Sequence, residues 1–155
     1  MKIANINTGF IDIPGKISLN IYAQGCKLKC PNCQNPELQN FKYGQDIFLE
    51  QIKSICKSRV LPSWVCWLGG DATYQPEDFL EFNKYFHQQG YKVGLYTGRD
   101  FSDIIELTEN VDLVIDGPWQ GIPVGEEGSN QKTFLKINNF WKEVNFKDLA
   151  NLLNT

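Results

Sequence analysis

Histidine occurs only once in this chain, at His87, and no H-x3-H or second C-x2-C pair accompanies it. A closed structural zinc site commonly draws its four ligands from two separated pairs, so one of those pairs is missing. Basic charge is scarce as well. Lys and Arg number 15 against 18 Asp and Glu, a net charge of -3, and the lysines are spread along the chain rather than gathered into a stripe. That leaves no electropositive field for a phosphate backbone, and no nucleic-acid partner is expected. Long apolar runs are missing too: no segment approaches the roughly 20 residues that a membrane span requires, and the opening from Met1 to Asn7 is too polar for the core of a signal peptide. The expectation is a cytoplasmic protein with no membrane partner. Low-complexity segments and internal repeats are absent, and 155 residues suit one domain, 1–155, with a real hydrophobic core.

What the chain does have is a concentration of cysteine. Three of its five cysteines, Cys26, Cys30 and Cys33, fall in one short stretch at the spacing C-x3-C-x2-C. In a reducing compartment an odd number of cysteines with three clustered points to metal binding or catalysis before disulfide formation. Three thiolates on one loop can hold three corners of an iron-sulfur cube and leave one iron open to a small molecule. Two other readings stay open on spacing alone. One is a zinc site whose fourth ligand comes from the fold. The other is a thioredoxin-like Cys30/Cys33 pair, which leaves Cys26 unexplained.

The rest of the chain reads as alternating strands and helices. Ile17 to Gln24 alternates apolar and polar residues as a strand does, and delivers the cysteine loop from its C-terminal end. Phe48, Leu49, Ile52, Ile55 and Cys56 form one helical stripe, in which Cys56 is a small hydrophobe. Trp64 to Leu68 is nearly all apolar, as a strand buried on both faces would be, which assigns Cys66 to the core. That strand runs into Gly69-Gly70-Asp71, where paired glycines let a ligand approach the backbone and an acid beside them can hold an ammonium group. A helix opens at Pro76-Glu77-Asp78 and stops at Gly90, with His87 in a structural place near its end. Lys92 to Thr97 and Val111 to Asp116 are further strands, separated by a short helix over Asp100 to Glu109. Lys132 to Ile137 adds another strand, and Phe146 to Leu153 a short helix capped by Asn145. This order calls for an α/β fold with a mostly parallel sheet, and each functional-looking turn follows a strand.

C-x3-C-x2-C is the cluster motif of the radical SAM enzymes, and the run from Gln24-Gly25-Cys26 to Asn35-Pro36-Glu37-Leu38 resembles the activating enzymes of anaerobic ribonucleotide reductase. Most of the superfamily has an aromatic residue before the third cysteine. Here it is Asn32, and the activases commonly have a small residue there. Gly69-Gly70-Asp71 is similar to the superfamily's Gly-Gly-Glu motif in the form typical of these activases. Asp12-Ile13-Pro14-Gly15 resembles their Asp-Gly-Pro-Gly with Ile13 in place of the first glycine. Tyr96-Thr97-Gly98, Val111 to Pro118 and Gly128-Ser129-Asn130-Gln131 are similar at matching places, although the arginine often found before the last segment is replaced by Glu126 and Glu127.

The resemblance implies an incomplete (β/α) barrel of the radical SAM type. It implies a 4Fe-4S cluster on Cys26, Cys30 and Cys33, and S-adenosylmethionine (SAM) contacted by Asn32, Cys33, Gln34, Gly69, Gly70, Asp71 and Asp116. It further implies the glycyl radical subunit of anaerobic ribonucleoside-triphosphate reductase as partner, and an electron donor such as flavodoxin or ferredoxin. The alternatives are a small-molecule radical SAM enzyme of the carboxy-deazaguanine synthase kind and a non-catalytic metal-binding domain.

Overall fold

The computed structural model describes residues 1–154. Its eight strands are β1 (Lys2–Gly9), β2 (Ser18–Ala23), β3 (Gln45–Asp46), β4 (Trp64–Gly69), β5 (Lys92–Tyr96), β6 (Leu113–Asp116), β7 (Lys132–Ile137) and β8 (Phe140–Val144). They form one sheet in the order β3-β1-β2-β4-β5-β6-β7-β8. The chain is therefore a mixed α/β protein. The expectation of a mostly parallel sheet needs correcting, because only the central pairings β2-β4, β4-β5 and β5-β6 are parallel. Both flanks are antiparallel, built by β1 and β3 on one side and β7 and β8 on the other. Sequence reading has no strand at β1, β3 or β8. β1 mixes buried, half-buried and exposed residues without a period of two, and β3 is two residues long, so neither shows a clean alternation.

The helices are α1 (Leu49–Ser58), α2 (Pro76–Gln88), α3 (Phe101–Ile104) and α4 (Leu149–Leu152). α1 begins where the Gln51 side chain accepts from the Phe48 backbone N–H at 2.8 Å, and it buries Ile52 and Cys56. α2 starts on a proline with Glu77 and Asp78 in its first turn, as expected for an end that carries partial positive charge. Its Phe79, Phe82 and Phe86 surround Trp67 of β4 with ring centroids 5.4, 6.4 and 6.3 Å away. Asn83 accepts from the Trp67 indole N–H at 2.8 Å, so this core has a polar anchor inside it. The helix expected to reach Glu109 is shorter: α3 gives way to a 3-10 turn at Ile105–Leu107.

The opposite face of the sheet has its own core of Ile13, Trp64, Cys66, Leu113, Ile115, Leu135 and Leu149. Ile13 is fully buried there, so the residue that replaces the first glycine of the activase-like turn is a core side chain. The C-terminal segment closes this face. The Asn145 side chain caps its first turn by accepting from Lys147 N at 2.9 Å, as the sequence leads one to expect. Among the described residues, no helix is long and apolar enough to cross a membrane.

Candidate functional site

The parallel register Ser18↔Trp64 to Ala23↔Gly69 ends β2 and β4 side by side, which sets the cysteine loop next to the Gly69-Gly70-Asp71 turn. The two turns dock through their backbones. Gly70 N donates to Ala23 O at 2.8 Å and Asp71 N to Gly25 O at 2.9 Å. A Cβ on Gly70 would strike the Gly25 carbonyl oxygen and lie 2.8 Å from that of Leu38. Gly69 has φ +94, and a Cβ there would lie 2.8 Å from Ala23 O. Sequence reading assigns the paired glycines to an approaching ligand. The structure shows the end of β2 against Gly69 and the base of the cysteine loop against Gly70.

The loop is closed at its base by groups that sequence reading passes over. Gly25 N donates to Leu38 O at 2.7 Å, and Cys26 N to Gln39 O at 3.1 Å. The buried Gln24 amide donates to Glu37 O and Asn40 O, while Gln75 donates to Gln24 O at 3.0 Å and to Lys2 O. Two glutamine side chains thus tie the base of the loop to β1, to the 3-10 turn at Pro36–Leu38 and to the segment after it. The only hint in the sequence is a glutamine at the end of a strand, where a solvated side chain is the ordinary reading.

Cys26, Cys30 and Cys33 are free and half-buried. All three line one cleft of about 400 Å³, together with Gln34, Gly69, Gly70 and Asp71 on the near side and Tyr96, Gly98, Trp119 and Gln131 on the far side. Burial pushes the Cys26 thiol up to about 11, against an opposing hydrogen bond from the Leu28 backbone N–H. Binding at such a thiol requires an electrophile that replaces its proton, which is what iron does. The other cysteines and the histidine are elsewhere: Cys66 is fully buried in the same core as Ile13, Cys56 belongs to α1, and His87 pairs with Asp112 at 2.7 Å. Among the described residues no group of three His, Cys, Asp or Glu side chains is gathered to hold a single metal ion. Three free thiols sharing one cleft, with no further cysteine or histidine beside them, fit a three-thiolate iron-sulfur cluster better than a closed zinc site of cysteine and histidine.

Asp71 lines this cleft but is 1% exposed, and its carboxylate is engaged. Oδ1 accepts from Thr73 N at 3.1 Å and Thr73 Oγ1 at 2.7 Å, and Oδ2 accepts from Thr97 Oγ1 at 2.7 Å and Gly98 N at 3.1 Å. Desolvation raises its pKa, and these four donors pull it back. A carboxylate has about four acceptor positions, so the ammonium-binding role expected of this side chain meets an acid already saturated from within. What it does here is tie the turn after β4 to the turn after β5. Thr97, read from sequence as a strand end, is half of that tie. Arg99 follows it, with its guanidinium 3.3 Å from Thr73 Oγ1 and 4.9 Å above the Tyr74 ring, and Lys27 of the cysteine loop lies 5.6 Å from the same ring.

Two expected cofactor contacts are not brought to the cleft. Asn32 is exposed on the loop and does not line it. Asp116 is turned away from it, because its carboxylate accepts from Phe101 N at 2.8 Å and Lys132 N at 3.3 Å, starting α3 and anchoring β7. An aspartate at a strand end reads alike as ligand or cap, and here the cap prevails. Trp119 and Gln131 do line it, carried by the long loop between β6 and β7. Gln131 belongs to the activase-like segment, whereas Trp119 has no pattern around it that singles it out.

A family model described as a 4Fe-4S single cluster domain matches residues 14–134. The chain is 28% identical over 113 residues to a pyruvate formate-lyase-activating enzyme of Clostridium pasteurianum, which covers 69% of this chain and 47% of that protein. It is 28% identical over 149 residues to the anaerobic ribonucleoside-triphosphate reductase-activating protein of Enterobacteria phage T4, covering 86% of this chain and 92% of the relative. A putative glycyl-radical enzyme activating enzyme of Methanocaldococcus jannaschii is 27% identical over 148 residues, 93% of this chain and 58% of that one. The chain thus spans about half the length of the clostridial relative and nearly all of the phage one. With its thiol-lined cleft, the chain belongs to the 4Fe-4S single cluster family, and the relatives it resembles are named as activating enzymes or an activating protein.

Proposed function

We propose that this chain is the activase of an anaerobic ribonucleoside-triphosphate reductase and generates a glycyl radical on that enzyme. The observation that carries the reading is the cleft in which Cys26, Cys30 and Cys33 face the turns after β4 and β5. Its substrate side is supported by the phage relative, of which the alignment covers 92%, against 47% and 58% for the two others. When bound, the cluster and SAM supply one-electron reductive cleavage of a carbon–sulfur bond, and with it a carbon radical able to take hydrogen from a glycine Cα.

The protein's part is to bind, orient and exclude water. Cys26, Cys30 and Cys33 would hold the cluster. Gly69 and Gly70 offer the backbone of their turn as a seat for the methionine part of SAM, and Asp71 keeps that turn and Thr97-Gly98 in one fixed relation. Gln34 lines the cleft at the loop's edge, where it would reach the nucleoside of SAM. Tyr96 and Trp119 give the far wall apolar surface, which limits the water that would quench a radical. The incomplete barrel of the radical SAM type fits the single open sheet, whose edges β3 and β8 do not pair with each other. An open side leaves room for a partner's glycine-bearing loop. The electron donor, flavodoxin or ferredoxin in kind, remains part of the same proposal.

The test mixes the reconstituted protein, a low-potential reductant, SAM and the cognate reductase without oxygen, and records electron paramagnetic resonance spectra. A glycyl radical on the reductase is expected. Reductive SAM cleavage with turnover of a small molecule and no radical on the reductase would transfer the assignment to a small-molecule radical SAM enzyme.

A further inference from the structure

We infer that Lys29 and Asn32 are positioning residues for the cluster, whose left-handed backbone arranges the three thiols of the loop before any cofactor arrives. This rests on Cys26, Cys30 and Cys33 being the cluster ligands. Each of these cysteines follows directly on a residue of positive φ: Gly25 at 106°, Lys29 at 52° and Asn32 at 56°. Among the described residues only two other non-glycine residues share this conformation, Asn138 and Asn139. Those two form the two-residue turn between the paired Ile137 and Phe140, where a type I′ hairpin demands positive φ at both positions. No hairpin explains the pair in the cysteine loop.

Side-chain contacts do not explain it either, since both side chains are exposed and neither lines the cleft. The requirement is therefore in the backbone. A reversal of φ before each cysteine turns the chain so that successive thiols face one cleft, and the loop is then held by Cys33 N donating to Cys30 O at 3.3 Å and Cys26 N to Gln39 O. Asparagine tolerates this region better than other side-chain-bearing residues, while lysine adopts it at a cost of about 1–2 kcal/mol. Asn32 thus stands before the third cysteine for its backbone.

The experiment compares Asn32→Gly, Asn32→Val, Lys29→Gly and Lys29→Val after anaerobic loading with iron and sulfide. Iron and sulfide content is measured, then the rate at which a chelator bleaches the absorption near 400 nm. Circular dichroism of the metal-free chains controls for folding. Both glycine variants are expected to keep the cluster at least as long as the parent, and both valine variants to lose it roughly five- to thirtyfold faster. Should a valine variant not fold, Asn32→Ala replaces it, with the expected order of retention Gly, Asn, Ala. Glycine variants that lose the cluster as fast as valine variants would overturn the inference, because the side chains and not the backbone would then matter. Valine variants indistinguishable from the parent would overturn it too. A parent chain that takes up no iron and sulfide would overturn the ligand reading beneath it, a different failure from a loaded parent with no ranking among its variants.

Discussion

The cysteine loop and the β4–α2 unit are neighbours built on opposite principles. From Trp64 to Gln88 the chain is shaped by packing: Trp67 is fully buried, three phenylalanines of one helix enclose it, and even its indole N–H has a buried partner. From Cys26 to Leu38 no residue is buried, and the one regular element is a single 3-10 turn at Pro36–Leu38. Backbone conformation and a few hydrogen bonds at the base give this loop its shape. Packing energy is spread over many contacts and tolerates chemistry poorly. A loop held by its ends can present thiols and still accept a bulky cofactor.

The largest effect should come from breaking the loop side of this contrast. Cys26→Ala, Cys30→Ala or Cys33→Ala should each abolish the cluster in iron and sulfide assays, while Cys56→Ala leaves its content unchanged. Normal loading in Cys26→Ala would refute the three-thiolate assignment. On the packed side, Trp67→Ala should destabilise the fold by about 3–5 kcal/mol, read as a lower denaturant midpoint in the metal-free chain. A much smaller loss would show that α2 collapses onto the gap and that the core is softer than its ring geometry implies.

Asp71 stands between the two regions, so its replacement sharpens the comparison. Asp71→Ala leaves four donors without their acceptor, so the melting temperature should fall, at about 1–3 kcal/mol for each group left buried and unpaired, and SAM should bind more weakly because the two turns lose their tie, while the cluster stays. Thr97→Val should reproduce part of that loss if Asp71 acts through the β5 turn. Unchanged SAM binding in Thr97→Val, measured by titration, would return the carboxylate to direct contact with the ammonium. The smallest effect concerns the docking of the two turns. Gly70→Ala pushes a methyl group into the Gly25 and Leu38 carbonyls and should cost about 1–3 kcal/mol with faster cluster loss. Gly90→Ala meets nothing within 4 Å and carries only the strain of its φ of +87, about 1 kcal/mol, with cluster retention unaltered. Equal cluster loss in both would separate the Gly69-Gly70 turn from the loop's support.

Much of this was legible beforehand wherever a local rule acts alone. The stripe of α1, the proline and acids that open α2, the apolar run of β4 and the Asn145 cap each follow from residues within one or two turns of each other. The cysteine spacing belongs to the same class, since a cluster motif depends on how many residues separate its thiols. Of the flanking strands β7 was legible and β1, β3 and β8 were not: β1 takes its place only by pairing with β2 and β3, and a two-residue β3 has no pattern to show.

What the sequence determined by itself is the inventory: three thiols on a loop that follows a strand, and a glycine pair followed by an acid after the next. What only the tertiary structure decided is what each of these meets. Gly69 makes way for the end of β2 and Gly70 for the backbone of the loop, Asp71 is saturated by threonines and an amide from another turn, and Asp116 is drawn off to cap α3 and anchor β7. The reason is that a buried polar group must be satisfied by whatever donors the fold brings within about 3 Å, and those donors come from strands far apart in sequence.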